Sequence, residues 1–169
     1  MDKTLKPRVL VLIGPMGCGK TTIGKLLSQK LGWPFYDGDD FHPPQNVDKM
    51  RQGIPLDDKD RMPWLKTLRS EIKTWLDSGQ CALLACSALK QQYRDILDID
   101  QKQVISVYLK GSYELLQERI GARQHPYMNK QLLQSQIEAM QAPDGGLTID
   151  ISPAAEEIAE TIISSISYK

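Results

Sequence analysis

Residues 14–21 restrict the possible folds of this chain more than any other stretch. They read Gly-Pro-Met-Gly-Cys-Gly-Lys-Thr and fit the phosphate-loop pattern G-x-x-x-x-G-K-[ST]. An apolar run at 8–13 precedes them, and apolar residues at helical spacing follow, at Ile23, Leu26, Leu27 and Leu31. At average amino-acid composition, roughly one chain of this length in a hundred, or fewer, would contain this pattern by chance. The sequence therefore predicts a nucleoside triphosphate site between a buried strand and a helix.

The residue types in this loop suit phosphate binding. Glycines at 14, 17 and 19 let the backbone curl around an anion, and the N-terminus of the following helix adds unpaired N–H groups and a positive dipole end. Lys20 would reach the β- and γ-phosphates, and the Thr21 hydroxyl would ligate Mg²⁺. The predicted nucleotide-binding residues of this segment are Gly14, Pro15, Met16, Gly17, Cys18, Gly19, Lys20, Thr21 and Thr22.

Strand and helix patterns alternate along the rest of the chain. After the first strand, further strands are predicted at 34–36, 81–86, 104–109 and 147–151. Helices are predicted up to Gly32, within 41–53, and around 64–76, 93–97, 113–122 and 132–143. Residues 54–60 are expected to form a loop, and Ser152 with Pro153 is expected to begin the last helix. This alternation predicts an α/β fold with a parallel sheet covered on both faces, whose ligands lie at the carboxyl ends of the strands.

Composition excludes several classes of function. The 169 residues suffice for one compact domain, and the 21 basic and 21 acidic side chains cancel, which argues against a general nucleic-acid binder. No apolar run approaches the roughly 20 residues of a membrane span, and residues 1–7 show no signal peptide. Three cysteines are most simply free thiols in a reducing cytoplasm.

Three acidic residues, Asp37, Asp39 and Asp40, follow the second predicted strand. Alone they could form a solvated acidic turn. Beside a phosphate loop they are better explained by a metal and a hydroxyl to hold, because phosphoryl transfer needs Mg²⁺ and a group that orients the attacking hydroxyl. Since Asp37 and Asp39 are two apart at a strand end, they are expected to face the same side.

Basic and polar residues at helical spacing supply further candidates. His42, Asn46 and Lys49 would share one helix face, which could bind hydroxyls and an anion or could be an ordinary polar face. Lys90 and Arg94 are four apart after the third strand, where they could clamp a carboxylate or remain solvated.

Another pair of basic residues four apart, Arg119 and Arg123, enters the proline-broken segment at 124–129. Lid arginines can neutralise a transferring phosphoryl group. The alternative is a helix C-terminus that is rich in arginine because of its dipole, and this alternative is stronger for Arg119.

These residues together resemble the gluconate kinases of the small phosphate-loop type, relatives of shikimate and adenylate kinases. The similarity extends from Val9 to the final helix, and the phosphate loop alone would indicate only the superfamily. The more specific motifs are Asp37-Gly38-Asp39 with His42-Pro43 and Asn46, Lys49-Met50, Gly53-x-Pro55-Leu56-x-Asp58-x-Asp60-Arg61-x-Pro63-Trp64-Leu65, Cys86-Ser87-Ala88-Leu89-Lys90 with Tyr93-Arg94-Asp95, and Leu132-Leu133-x-Ser135-Gln136 with Pro143.

The resemblance implies a three-layer fold, with a five-stranded parallel sheet and a mobile lid at about 122–131, in a single domain over 1–169. It implies a cytoplasmic homodimer that transfers the γ-phosphate of ATP to the 6-hydroxyl of D-gluconate with Mg²⁺. The residues assigned to this chemistry are Lys20, Asp39 and Arg123 for catalysis, Arg119 for the nucleotide, Thr21 and Asp37 for the metal, and Asp39, His42, Asn46, Lys49, Lys90 and Arg94 for the acceptor.

One departure from the family pattern lies in the predicted lid. The family usually reads Arg-x-Gly-His-Phe there, whereas this chain reads Arg123-Gln124-His125-Pro126-Tyr127, so the family histidine is not assigned to His125. Two alternatives stay open. A shikimate-kinase-like enzyme would ordinarily carry a glycine-rich segment in place of 86–90, and a non-catalytic nucleotide-binding regulator is disfavoured by the intact Lys20, Thr21, Asp37 and Asp39.

Overall fold

The computed structural model describes residues 8–122 and 130–167. Strands and helices alternate in this part of the chain. The strands are β1 (Val9–Ile13), β2 (Phe35–Asp37), β3 (Ala82–Ala85), β4 (Val104–Lys110) and β5 (Leu147–Asp150). The helices are α1 (Lys20–Leu31), α2 (Pro44–Arg51), α3 (Asp58–Asp77), α4 (Gln91–Ile96), α5 (Tyr113–Ala122), α6 (Lys130–Ala139) and α7 (Ala155–Ser167).

The five strands form one parallel sheet in the order β2-β3-β1-β4-β5, which confirms the predicted α/β fold. The central strand β1 is buried on both faces because its side chains alternate between two cores. Leu10 and Leu12 pack with Leu27 of α1 in one core, whereas Val9, Val11 and Ile13 belong to the other, which α3 and α4 cover.

Two helix starts differ from the predictions. The segment 54–60 was expected to be a loop, but α3 begins at Asp58, because Asp57 and Asp60 form a capping box with each other's backbone N–H groups. The expectation that Ser152 and Pro153 begin the last helix is wrong, since α7 begins at Ala155. Ser152 instead donates its N–H and its hydroxyl to the Asp150 carboxylate and closes a turn after β5.

Strand register brings the ends of three strands to one edge of the sheet. Leu12 of β1 pairs with Ala85 of β3, and Asp37 of β2 pairs with the same Ala85. The segments that follow these strands are therefore neighbours, and the N–H of Gly14 donates to the carbonyl of Ser87 over 3.3 Å. The predicted functional edge lies here, at the carboxyl ends of the strands.

Candidate functional site

A cavity of about 550 Å³ opens at this edge. The phosphate loop and the start of α1 line one part of it, through Met16, Gly17, Gly19, Lys20 and Thr21. The segment after β2 contributes Asp37, Asp39, Asp40 and His42, and α3 contributes Arg61 and Trp64. Gly14, Pro15 and Cys18 of the same loop are buried and do not line the cavity, and Thr22 is half-buried in the first turn of α1.

The phosphate loop has the backbone geometry that its glycines predict. Gly14 has φ +148°, and a Cβ there would lie 2.8 Å from Cys18 Sγ and 3.0 Å from the Leu109 carbonyl, so only glycine fits. Helix α1 begins at Lys20, and no side chain of the described residues caps it at Gly19. A helix N-terminus without a side-chain cap can bind an anion through its N–H groups.

Lys20 is folded over its own loop. Its ammonium donates to the carbonyls of Gly14 at 2.8 Å and Pro15 at 3.2 Å, and lies 3.7 Å from Cys18 Sγ. These contacts hold the ammonium against the loop backbone. Lys20 lines the same cavity as Gly19 and Thr21 at the start of α1.

A 3-10 turn over Gly38–Phe41 arranges the acidic residues. The Asp37 carboxylate accepts the N–H of Asp39 at 3.0 Å, and the indole N–H of Trp64 donates to the carbonyl of Gly38 at 2.7 Å. Asp37 and Asp39 both line the cavity, although they are joined by this turn and not by the extended strand that was expected. Partial burial raises the pKa of the Asp37 carboxyl.

The structure separates the three residues of the predicted helix face, His42, Asn46 and Lys49. His42 precedes α2 and lines the cavity, whereas Asn46 and Lys49 do not. Asn46 donates to the backbone carbonyl of Asp60, and Lys49 pairs with the Asp60 carboxylate at 2.7 Å. Both side chains therefore contact Asp60 in the first turn of α3, a segment that was expected to be a loop.

Neither basic residue of the predicted carboxylate clamp lines the cavity. Arg94 is only 2% exposed, and its guanidinium donates to the backbone carbonyls of Ala88, Leu89 and Gln141. Lys90 precedes α4 and donates to Asp58 at 3.2 Å. Arg94 instead connects the turn after β3 to the segment after α6, and the structure does not bring the two basic side chains together at the cavity.

Arg61, which was not among the predicted site residues, lines the cavity instead. Its guanidinium donates to the Leu56 carbonyl at 2.6 Å and to the Tyr93 hydroxyl at 3.1 Å, and its carbon lies 5.3 Å from the centre of the Tyr93 ring. Among the described residues, Lys20 and Arg61 are the only lysine or arginine side chains that line this cavity. The spacing of Asp57 and Asp60 could have revealed the start of α3 and with it the position of Arg61.

Tyr93 links Arg61 to an acidic partner. The tyrosine hydroxyl donates to the Asp58 carboxylate, and Lys90 approaches both groups. The Tyr93 hydroxyl, with smaller contributions from Gln92 and Lys90, lowers the pKa of Asp58 to about 2. Asp58 is therefore ionised at neutral pH and balances the positive charge beside the cavity.

Helix α6 contributes two residues that sequence reasoning did not place in the site. Ser135 and Gln136 line the cavity, and the side-chain oxygen of Gln136 accepts the N–H of Met16 at 2.6 Å. Arg119 on α5 donates to the Ile151 carbonyl at 2.7 Å. Arg123, His125 and most of the predicted lid at 122–131 lie outside the described residues.

Two further observations concern metal and membrane. Within 8–122 and 130–167, no three His, Cys, Asp or Glu side chains come together as a metal-binding cluster. None of the helices in the same residues combines the length and the apolar character needed to cross a bilayer.

Known proteins are similar to most of this chain. Residues 16–166 match the family model described as Shikimate kinase. A protein of Rattus norvegicus named probable gluconokinase is 39% identical, over 95% of this chain and 98% of its own. The thermosensitive gluconokinase of Escherichia coli K12 is 40% identical, over 89% of this chain and 82% of its own.

A solved structure agrees with these sequence matches. The crystal structure of a gluconokinase from Sinorhizobium meliloti 1021 superposes with a TM-score of 0.86 at 35% identity, and the match covers 96% of this chain and 93% of that one. Sequence and fold therefore agree over nearly the whole length. This chain belongs to the shikimate kinase family and, within it, to the gluconokinases.

Proposed function

We propose that this chain transfers the γ-phosphate of ATP to the 6-hydroxyl of D-gluconate, which yields 6-phospho-D-gluconate and ADP. One observation carries this proposal: a single cavity contains a phosphate loop with its lysine, a carboxylate at Asp39 and a second cation at Arg61. Relatives about 40% identical that are named gluconokinase support the choice of acceptor.

The chemistry of gluconate fits these groups. Gluconate is a linear polyol with a carboxylate at one end and the reacting hydroxyl at the other. Arg61, held by the Leu56 carbonyl and the Tyr93 hydroxyl, supplies a preorganised cation for the carboxylate. Arg61 thereby replaces Arg94 and Lys90 in the predicted role, because Arg61 lines the cavity and the other two side chains do not.

The reacting end of the acceptor belongs beside Asp39. The Asp39 carboxylate orients the 6-hydroxyl and accepts its proton as phosphoryl transfer proceeds. Lys20 stabilises the charge on the transferring group. A weak base suffices, since phosphoryl transfer depends mainly on positioning and on electrostatic stabilisation.

Thr21 and Asp37 are the residues that would hold Mg²⁺. Both line the cavity and offer oxygen ligands, the type that this ion prefers. Burial raises the pKa of the Asp37 carboxyl, and a divalent cation would offset the cost of keeping that group charged. When bound, the ion would neutralise charge on the β- and γ-phosphates.

Several parts of this proposal rest on the family resemblance. Arg119 and Arg123 would neutralise the nucleotide phosphates, Arg123 from a lid at about 122–131. A single kinase domain over 1–169, a homodimer and a cytoplasmic location also remain predictions.

A coupled assay of ADP release tests the function. With ATP and Mg²⁺, D-gluconate is expected to support turnover, whereas shikimate and nucleosides are expected to give only the background rate of ATP hydrolysis. Turnover with shikimate but not with gluconate would favour the shikimate-kinase alternative. Nucleotide binding without turnover on any acceptor would favour a regulator.

Replacing Arg61 by alanine is expected to raise KM for gluconate roughly thirtyfold, because a charge-assisted bidentate contact is worth about 2 kcal/mol. Discrimination against glucitol, the neutral polyol, should fall with it, and Arg61→Lys should recover little since a point charge cannot reproduce the planar fork. Arg69→Ala is the matched control, because Arg69 lies on the same helix and pairs with Asp98 at the surface. An unchanged ratio of gluconate to glucitol in Arg61→Ala would show that the carboxylate is held elsewhere.

A further inference from the structure

The side chain of His42 is buried, and an aromatic ring and two polar groups contact it. Its side chain is only 3% exposed, and its ring stacks on Trp64 with 4.1 Å between centroids and an interplanar angle of 17°. One ring nitrogen, Nδ1, lies 3.1 Å from Asn46 Nδ2, and the other, Nε2, lies 3.5 Å from Asp39 Oδ1. The two nitrogens therefore face groups of opposite hydrogen-bonding character.

The orientation of the Asn46 amide is fixed by a third group. Asn46 is 1% exposed, and Nδ2 lies 2.8 Å from the backbone carbonyl of Asp60. A carbonyl only accepts hydrogen bonds, so the amide nitrogen, and not its oxygen, must occupy this position. The same amide nitrogen can only donate to His42, which makes Nδ1 the acceptor.

This arrangement selects one tautomer of His42. A neutral imidazole that accepts at Nδ1 carries its proton on Nε2, and that N–H faces the Asp39 carboxylate. We propose that His42 is a positioning residue that holds Asp39 toward the acceptor hydroxyl, and that Asn46 selects the tautomer that makes this possible. The proposal rests on the proposed function in one respect, the role of Asp39.

Asp39 benefits from such a partner because its own side chain is 70% exposed. An exposed carboxylate can occupy several rotamers, and an N–H 3.5 Å away on a buried, stacked ring favours the rotamers that face it. The Trp64 indole, which is itself fixed to the Gly38 carbonyl, therefore supports both the ring and the turn that carries Asp39. The sequence predicted that His42 and Asn46 bind the acceptor hydroxyls. In the present proposal they act through Asp39 instead.

The tautomer can be measured directly, because the chain contains only two histidines, His42 and His125. In ¹⁵N-histidine-labelled protein, two-bond ¹H–¹⁵N correlation spectra should show a protonated Nε2 and an unprotonated Nδ1 for His42, and His125→Gln assigns the signals. Asn46→Asp reverses the character of the partner and should place a proton on Nδ1. A proton on Nδ1 in the unmodified chain would overturn the proposal, as would an unprotonated Nδ1 in folded Asn46→Asp.

Two substitutions of His42 separate positioning from substrate binding. The amide of His42→Gln can reach the place of Nε2 and donate to Asp39, whereas the shorter amide of His42→Asn reaches only the place of Nδ1. With gluconate, kcat should stay within a few-fold for His42→Gln and fall about tenfold for His42→Asn, and KM should change little in either. In an Asp39→Asn background, His42→Asn should cause no further loss.

The outcomes are distinct. A large rise in KM at unchanged kcat in His42→Asn would make His42 a substrate ligand, and equal kcat in both variants would remove the role of the Nε2 donor. A chain without gluconate kinase activity would refute the proposed function, whereas the tautomer measurement would still decide whether Asn46 sets the proton position.

Discussion

Replacing Lys20 by alanine is expected to lower kcat at least about a hundredfold, the loss typical of removing one preorganised donor at a transition state. Charge spreads over the transferring phosphoryl group, so the ammonium that lies above the loop acts more strongly there than on bound ATP. Steady-state assays with gluconate, together with nucleotide binding measured by calorimetry, separate these two effects.

Lys25→Ala provides the matched control for Lys20→Ala. Lys25 lies on the same helix, α1, and is exposed, so its loss removes an equal charge without touching the cavity. Lys20 also holds the Gly14 and Pro15 carbonyls, and circular dichroism of the variant must therefore show an intact fold. Near-normal turnover in folded Lys20→Ala would contradict the phosphate-loop assignment.

Most of the fold could be predicted because strand burial leaves a clear trace in the sequence. The apolar runs around β1 and β3 indicated strands covered on both faces, and the structure places both strands in the interior of the sheet. Gly32, predicted to end the first helix, has φ +73° there. The missed start of α3 depends on a capping box of two aspartates within a polar segment that also suits a loop.

The site was harder to predict, because helical spacing tells which residues share a face but not what that face meets. Arg94 was correctly placed on a helix after the third strand, yet its main partners include the carbonyl of Gln141, 47 residues away. Lys49 likewise finds Asp60 only because α3 begins early. Long-range contacts of this kind decide whether a cationic side chain faces a cavity or connects two distant segments of the fold.

Asp39→Asn is expected to lower kcat for gluconate about a hundredfold or more while KM changes little. The amide keeps the shape of the side chain and can still contact a hydroxyl, but it removes the anionic partner that orients the 6-hydroxyl and accepts its proton. Steady-state kinetics over a range of gluconate concentrations measure both constants.

The neighbouring carboxylates make the comparison specific. Asp37→Asn should raise the Mg²⁺ concentration needed for half-maximal activity, since Asp37 is proposed to hold the metal, whereas Asp39→Asn should leave that concentration unchanged. Asp48→Asn, on the exposed surface of α2, controls for the loss of one negative charge. If Asp37→Asn lowers kcat at saturating Mg²⁺ and Asp39→Asn does not, the two roles are exchanged. The His42 network would then serve a carboxylate that does not contact the acceptor, and the role proposed for His42 would fail with it.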